Sequence, residues 1–290
     1  MKLLVKFNLL FVLVMVLGLA VSGAITRNLL QENAQDEVLN NARLLMEKAI
    51  AVRTYTSTQI SKLLQTQMKY EFLPQSVPSY SAVEVLKSLQ SKYPDFAYKE
   101  ATLNPTNPRD RAVGWEVDVV SQFRSNADLK EATGQRDTAT GPSLWIARPL
   151  RITNGACLEC HSSVEAAPKT MIDRYGQANG FGWNLNEVIG AQVISVPMAL
   201  PLQRAERSFR VFMGAQVAVF VAVGVVLNLM IWLVIVRPVT KLSSMADRVS
   251  QGDLEAPEFD SRSKDEIGTL AASFSRMRAS VVQAMRMLDN

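Results

Sequence analysis

The chain is 290 residues long, 48% hydrophobic and only 7% aromatic, with 31 basic against 27 acidic side chains and a net charge of +4. So slight a basic excess is too weak to argue for a nucleic-acid partner and is ordinary for a membrane protein. The information lies in how the residues are distributed.

The first element, FNLLFVLVMVLGLAVSGAI from Phe7 to Ile25, is an apolar run of roughly 20 residues, long enough to cross a bilayer, and Lys2 and Lys6 precede it. Ala20-Val21-Ser22 resembles a small-residue cleavage site, so a signal peptide is the alternative. The length of the run and the helical sequence that follows without a break favour a retained anchor over residues 1–27. Export is implied either way.

Residues 28–210 are enough for one domain with a core of its own. Val38, Ala42, Leu45, Ala49, Val52, Thr56, Ile60 and Leu63 trace one face of a long stalk helix, expected to continue from the first span and to lie beside its twin in a dimer. Pro74 and Pro78 are expected to end it, and Ser81 to cap a shorter helix from Ala82 to Lys92. Phe96 to Leu103 reads as a strand, 104–108 (NPTNP) as a rigid loop, and Trp115 to Phe123 as a helix. Ser143 to Ile152 reads as a strand, Pro168 to Tyr175 as a short helix, Gly180-Phe181-Gly182-Trp183 as a tight aromatic loop, and Val188 to Val196 as a last strand. Strands separated by short helices, with a long helix at each end, predict an α+β, PAS-like sensor domain between two membrane helices.

The strand over 143–152 runs into GACLECHSS, which holds both cysteines and the single histidine of the chain: Cys157, Cys160 and His161. The spacing C-x-x-C-H is the haem c attachment signature. Two thiols on one turn can form thioethers with the haem vinyl groups, and the adjacent imidazole lies under the iron as proximal ligand. The alternatives are a redox dithiol, half a zinc site or a structural disulfide. Zinc normally takes four nitrogen or sulfur ligands, and no further Cys or His exists. A thioredoxin-like pair opens a helix, and Ser162, Ser163 and Pro168 break any helical pattern here.

With no second histidine, the sixth iron position falls to a methionine, tyrosine, lysine, water or nothing. Met171, close in sequence, and Met46, on the stalk, are the candidate ligands, although methionines are commonly core fillers. Arg109, Arg148 and Arg151 are candidate partners for haem propionates, and Trp145, Phe181 and Trp183 are candidate pocket walls or core residues.

Residues 211–236, VFMGAQVAVFVAVGVVLNLMIWLVIV, form the second span, closed by Trp232 and Arg237. Gly214, Ala218 and Ala222 recur every four residues, the small-xxx-small pattern of closely packed helices, and Gln216 and Asn228 offer hydrogen bonds across such a pair. Lys2, Lys6, Arg237 and Lys241 place both termini in the cytoplasm of a bacterial inner membrane; Arg204, Arg207 and Arg210 argue weakly the other way. Covalent haem attachment takes place outside that membrane, which puts 28–210 in the periplasm.

In residues 237–290, Val239, Leu242, Ala246 and Val249 repeat at three and four residues, as do Ile267, Leu270, Phe274, Met277, Val281, Ala284 and Leu288, with a connector holding Gly252, Pro257 and Phe259 between them. Pro238 opening the first helix, Gly252-Asp253-Leu254 ending it and Asp265-Glu266-Ile267-Gly268 opening the second closely resemble a HAMP domain. That resemblance implies a parallel four-helix coiled coil made by two copies, passing conformational signals from a membrane helix to an effector. No kinase, methyl-accepting or cyclase module follows the last seam position, so a separate cytoplasmic effector, a kinase or similar, is expected to take the output.

The ordered elements ARLLMEKAIAVRTYTSTQI, FLPQSVPSY, YKEATLNPTNPRD, ARPLRI, CLECHS and GFGWNLNEVIGAQVISVP resemble the periplasmic c-type haem PAS-like family, first catalogued as a domain of unknown function and often fused to HAMP. The resemblance covers about residues 30–200. It implies a PAS-like fold, one haem c per chain on Cys157 and Cys160 with His161 as proximal ligand, and redox or gas sensing. A cysteine has been seen as the other axial ligand in this class, and this chain has no third cysteine. The expected function is that of a non-enzymatic, membrane-bound haem c sensor acting as a homodimer in lipid, with no nucleic-acid partner. A membrane-tethered electron carrier with HAMP as a dimer clasp is the alternative; a haem enzyme is disfavoured for want of a distal histidine, and a small-molecule receptor with a structural haem is a further rival.

Overall fold

The computed structural model describes residues 3–253 and 265–288 of the chain, which divide into two compact units, 28–207 and the flanking 1–27 with 208–290. Leu254, Pro257 and Phe259 of the HAMP connector lie outside the described residues.

In the first unit, α1 (Leu3–Tyr55) passes through a π turn at Thr56–Ile60 into α2 (Ser61–Leu64). Then come α3 (Pro78–Lys87), β1 (Ala97–Thr102), α4 (Trp115–Ser125), β2 (Ala132–Thr138), β3 (Gly141–Arg151), α5 (Leu158–His161), α6 (Lys169–Tyr175) and β4 (Val188–Pro197). The sheet is antiparallel throughout in the order β1-β4-β3-β2. Central β4 is buried along nearly its whole length because both its faces are covered. On one face Val193, Ala191 and Val188 pack with Ala147 and with Val119, Val120 and Phe123 of α4. On the other, Ile194, Val196, Leu144 and Ile146 meet Val38, Ala42 and Met46 of the stalk. Removing each such large side chain from water is worth about 1.5–3 kcal/mol, so the stalk is part of the core of this unit.

Most expected elements are present, with four corrections. The stalk ends at Leu64, upstream of Pro74, which opens a short 3-10 turn. Leu63, assigned to the stalk's buried face, is 73% exposed, because the π turn shifts the phase of the residues beyond it. Helix α3 starts at Pro78, whose missing N–H suits a first position, and Ser81 sits inside it, donating to Gln75 O at 2.8 Å. Strand β2 has no counterpart in the sequence reading; ATGQRDT is a mostly polar edge strand with half-buried positions on one face.

In the second unit, the first span packs on α7 (Ala199–Ile231) within one chain. The carboxamides of Asn8 and Asn228 exchange hydrogen bonds, and Ser22 Oγ donates to Gln216 Oε1 at 3.1 Å. Gly23 faces Met213 and Gly224 faces Phe11, so these two glycines make the close approaches. The expected small-residue stripe does not: Gly214, Ala218 and Ala222 are exposed, and Gly214 has open space around it.

A π turn, Trp232–Val236, carries α7 into α8 (Arg237–Ser250), followed by α9 (Glu266–Leu288). Gly252, at φ +91°, ends the first helix, and Asp265 Oδ1 accepts from Gly268 N at 2.9 Å, capping the second. Leu242, Met245, Gly268 and Ala271 are buried where α8 meets α9, whereas Val239, Leu270, Met277 and Val281 of the expected seams remain exposed in the single chain.

Candidate functional site

The motif loop is built on the end of β3. Past a bulge at Leu150/Arg151, Ile152 exchanges backbone hydrogen bonds with Glu187 and Asn186, which anchors the departing chain to the start of β4. Asn154 then caps a helical turn, its Oδ1 accepting from Ala156 N at 3.0 Å and its carbonyl from Cys157 N at 3.1 Å. The 3-10 turn Gly155–Cys157 runs directly into α5, so the motif lies within one short helical stretch that stops at His161. Positions three apart on such a turn share a side, which brings Cys157 and Cys160 together.

Both cysteines are half-buried free thiols. Burial pushes the Cys157 thiol up, opposed by the positive charge of Arg53. Burial pushes Cys160 up as well, reinforced by Glu159 and Cys157. Reactive dithiols commonly have lowered thiol pKa values, and both shifts here run the other way. Nor, among the described residues, do three or more His, Cys, Asp or Glu side chains converge as a metal-ion site.

His161 is held from several sides. Its Nδ1 lies 2.7 Å from Gly180 O and 3.5 Å from Thr106 Oγ1, and its ring stacks on Trp183 at 4.0 Å between centroids. Trp183 N donates to His161 O at 3.2 Å and Gly182 N to Ser162 O at 3.1 Å, stitching the aromatic loop to α5. A carbonyl acceptor requires the proton on Nδ1, leaving the Nε2 lone pair for a metal. Burial lowers the His161 pKa, with the Gly180 hydrogen bond opposing, which keeps the imidazole neutral.

Gly180 is required at its position: at φ +87° a Cβ would lie 2.1 Å from Thr106 Oγ1 and 2.9 Å from Thr106 Cα. Asn104 clamps the same loop, accepting from Gly180 N and donating to Phe181 O, each at 3.2 Å. Asn104, Thr106 and Gly180 thus support His161, roles that sequence reasoning assigned to none of them; the only local signal was the Gly-Phe-Gly-Trp string.

Met46 is fully buried in the apolar core between stalk and sheet, and Met171 is buried on α6. Arg148 bridges Glu47 and Glu131, Arg109 pairs with Glu84 and Asp110, and Arg151 donates to Asn186 O. Trp145 packs on Trp115 and the α4 side of the sheet. Of the three aromatic candidates, Trp183 is the one stacked on His161.

The donor set fits a covalently held haem: two unactivated, half-buried thiols on one side of a turn, next to a neutral imidazole oriented through Nδ1.

A search of solved structures finds the cyanobacterial heme-protein Tll0287, 16% identical, with a TM-score of 0.43, covering 56% of this chain and 95% of that one. Among curated proteins, Heme sensor protein HssS of Staphylococcus aureus strains JH9 and Newman is 34% identical over 94 residues. That match covers 32% of this chain, which spans about a fifth (20%) of the length of those relatives. The HAMP domain model matches residues 230–283, and the Tll0287-like model matches residues 31–197, more than half of the chain. The protein is therefore a member of the Tll0287-like family that carries a HAMP domain.

Proposed function

We propose that the protein is a membrane-bound haem c sensor, in which Cys157 and Cys160 carry one haem per chain and His161 is its proximal iron ligand. The observation that carries this reading is the His161 Nδ1 contact with Gly180 O at 2.7 Å, directly beside two free thiols in C-x-x-C-H spacing. A hydrogen bond from the other ring nitrogen fixes the tautomer and ring orientation of a ligating histidine. The names of the relatives, a heme-protein and a heme sensor, agree with it.

In this reading residues 1–27 are the anchor, 28–210 a PAS-like periplasmic sensor, 211–236 the second span and 237–290 a cytoplasmic HAMP domain. Two helices are long and apolar enough to span a membrane, which supports that layout. The exposed Val239, Leu270, Met277 and Val281 support a homodimer, because a second copy would cover them. Bound haem supplies an iron that changes charge on reduction or takes a diatomic gas. The protein's own residues do the rest. His161, Trp183 and Gly180 hold the imidazole, while β4, which starts at Val188 just beyond the aromatic loop, leads through Met198 into α7 and so connects the site by the chain itself to the second span. HAMP then biases a separate effector, and no catalytic role is assigned to the chain.

The test is a pyridine haemochrome assay on purified protein, then ferric, ferrous and ferrous carbon monoxide spectra. A c-type haemochrome is expected. A carbon monoxide shift selects gas sensing, and an unshifted six-coordinate ferrous spectrum selects redox sensing. Locking either state should change HAMP disulfide crosslinking; unchanged crosslinking together with rapid electron exchange would favour the tethered electron carrier. Absence of haem would sink the reading.

A further inference from the structure

Four arginines stand at the sensor-side ends of the two spans, and the haem reading uses none of them. Arg27 of α1 and Arg204, Arg207 and Arg210 of α7 are all exposed, and among the described residues none makes an ion pair or a side-chain hydrogen bond. Their level follows from the packing of the spans. Gly23 of α1 lies against Met213 and Phe209 of α7, so Arg27, one turn past Gly23, and Arg210, one turn before Met213, stand at the same end of the helix pair. Arg207 and Arg204 lie one and two turns further from the span along α7. Ile25, Val211 and Phe212, on the bilayer side of these arginines, are exposed apolar side chains.

Height along the helices separates the four. The headgroup region adds about 5–7 Å to each side of the hydrocarbon core. At about 1.5 Å per residue, Arg27 is about 3 Å beyond Ile25, and Arg210 and Arg207 are about 1.5 and about 6 Å before Val211, all within that layer. Arg204, at about 10 Å, is outside it. The residue type is informative too. Charge that merely orients a span is served by lysine and arginine alike, and the opposite end carries Lys2, Lys6, Arg237 and Lys241. The sensor end carries arginine each time. A guanidinium presents paired N–H donors that match two oxygens of one phosphate, and an ammonium does not. The nearby acids, Glu32 and Glu206, are exposed and, among the described residues, pair with none of the four.

We propose that Arg27, Arg207 and Arg210 form a site for anionic phospholipid, holding headgroup phosphate in the leaflet that faces the sensor domain, with the acyl chains along Ile25, Val211 and Phe212. This rests on the membrane layout proposed above and not on the haem. By gripping headgroups, the three arginines fix the depth at which α7 enters the bilayer.

The experiment reconstitutes the full-length protein in phosphatidylcholine bilayers and measures, by electron spin resonance, how much chain-labelled phosphatidylglycerol or phosphatidylcholine it immobilises. The parent should prefer phosphatidylglycerol. Arg27→Gln/Arg207→Gln/Arg210→Gln should lower that preference at least about fivefold, with each single substitution giving part of the loss. Arg204→Gln should change it by less than about twofold, because that guanidinium starts above the headgroups. Arg27→Lys/Arg207→Lys/Arg210→Lys should recover only part of the preference, since it restores the charge without the fork. All four positions are exposed, so the substitutions leave the packing of the chain intact. A triple glutamine variant with the parental preference overturns the inference, as does Arg204→Gln losing as much as Arg210→Gln. A triple lysine variant equal to the parent also overturns it, leaving diffuse charge as the cause. Inorganic phosphate added at constant ionic strength should not release the lipid; if it does, the site takes free phosphate and the lipid assignment fails. A parent chain stripped from the bilayers by alkaline carbonate overturns the membrane layout and this inference with it.

Discussion

Asn8 and Asn228, one on each membrane helix, exchange hydrogen bonds of 2.8 and 2.7 Å through their side-chain amides. Polar pairs between spans are worth about 0.6 kcal/mol on average and up to about 1.7. Asn8→Leu or Asn228→Leu alone takes one side from the pair, although Asn228 keeps its bond to Gly224 O at 2.9 Å, so each should destabilise the pair of spans by about 1 kcal/mol. The double variant should cost less than the sum of the singles. Unfolding in lipid bicelles measures this, and strict additivity would show that the two residues do not interact.

Gly180 and Gly182 form a matched control. Both have positive φ, +87° and +80°, but a Cβ on Gly180 meets Thr106 while one on Gly182 meets nothing within 4 Å. Gly180→Ala should therefore cost about 1–3 kcal/mol more than Gly182→Ala in the thermal unfolding of the sensor domain. It should also change the ferric spectrum, because displacing the Gly180 carbonyl frees the His161 ring. Equal destabilisation by the two substitutions would mean that the loop relaxes around Thr106 at little cost.

The His161 pKa is lowered, by burial first, with the Gly180 hydrogen bond opposing. The sign follows from proton counts: below pH 6.5 the unfolded chain takes up a proton that the folded chain refuses until lower pH. Stability therefore falls as pH drops below 6.5 and levels off below the folded pKa. In a Cys157→Ser/Cys160→Ser chain, which has no thiols for attachment, denaturant titrations from pH 8 to pH 5 should show this loss, and His161→Gln should flatten it. An unchanged slope in His161→Gln would assign the loss to another group.

The strands and the motif differ in how visible they are before folding. Strand β4 announces itself through an apolar, β-branched run and β3 through Leu144, Trp145 and Ile146, and Cys157, Cys160 and His161 through covalent spacing alone. Strand β2 is held by a tertiary feature: the Trp145 indole lies across Gly134, where a Cβ would sit 2.5 Å from the ring. No local pattern in ATGQRDT reports that cover. The support of His161 is similarly non-local, since Thr106 stands 55 residues from it and Asn104 stands 76 from Gly180. Arg53 looks like a solvated stalk residue until β1 brings Glu100 against it. The exposed seam residues of α9 follow a readable heptad pattern that the single chain leaves uncovered.

The π turn Trp232–Val236 immediately precedes Pro238, and the two are physically linked. Proline has no N–H to give the carbonyl of Val234, and its ring crowds that carbonyl. Arg237 N–H reaches instead to Trp232 O, five residues back, which widens the turn and makes room for the ring. The widened turn accommodates one extra residue, so closing it would rotate everything downstream by about 100° about the helix axis. Pro238→Ala removes both the clash and the missing donor and should let the π turn revert to a regular α-helix. The prediction is a change of face: in a scan of single cysteines over 239–249, the positions that crosslink most readily between two copies should shift relative to those in the second span. If the crosslinking pattern of Pro238→Ala superimposes on that of the parent, the π turn is set by the residues of the span and not by the proline.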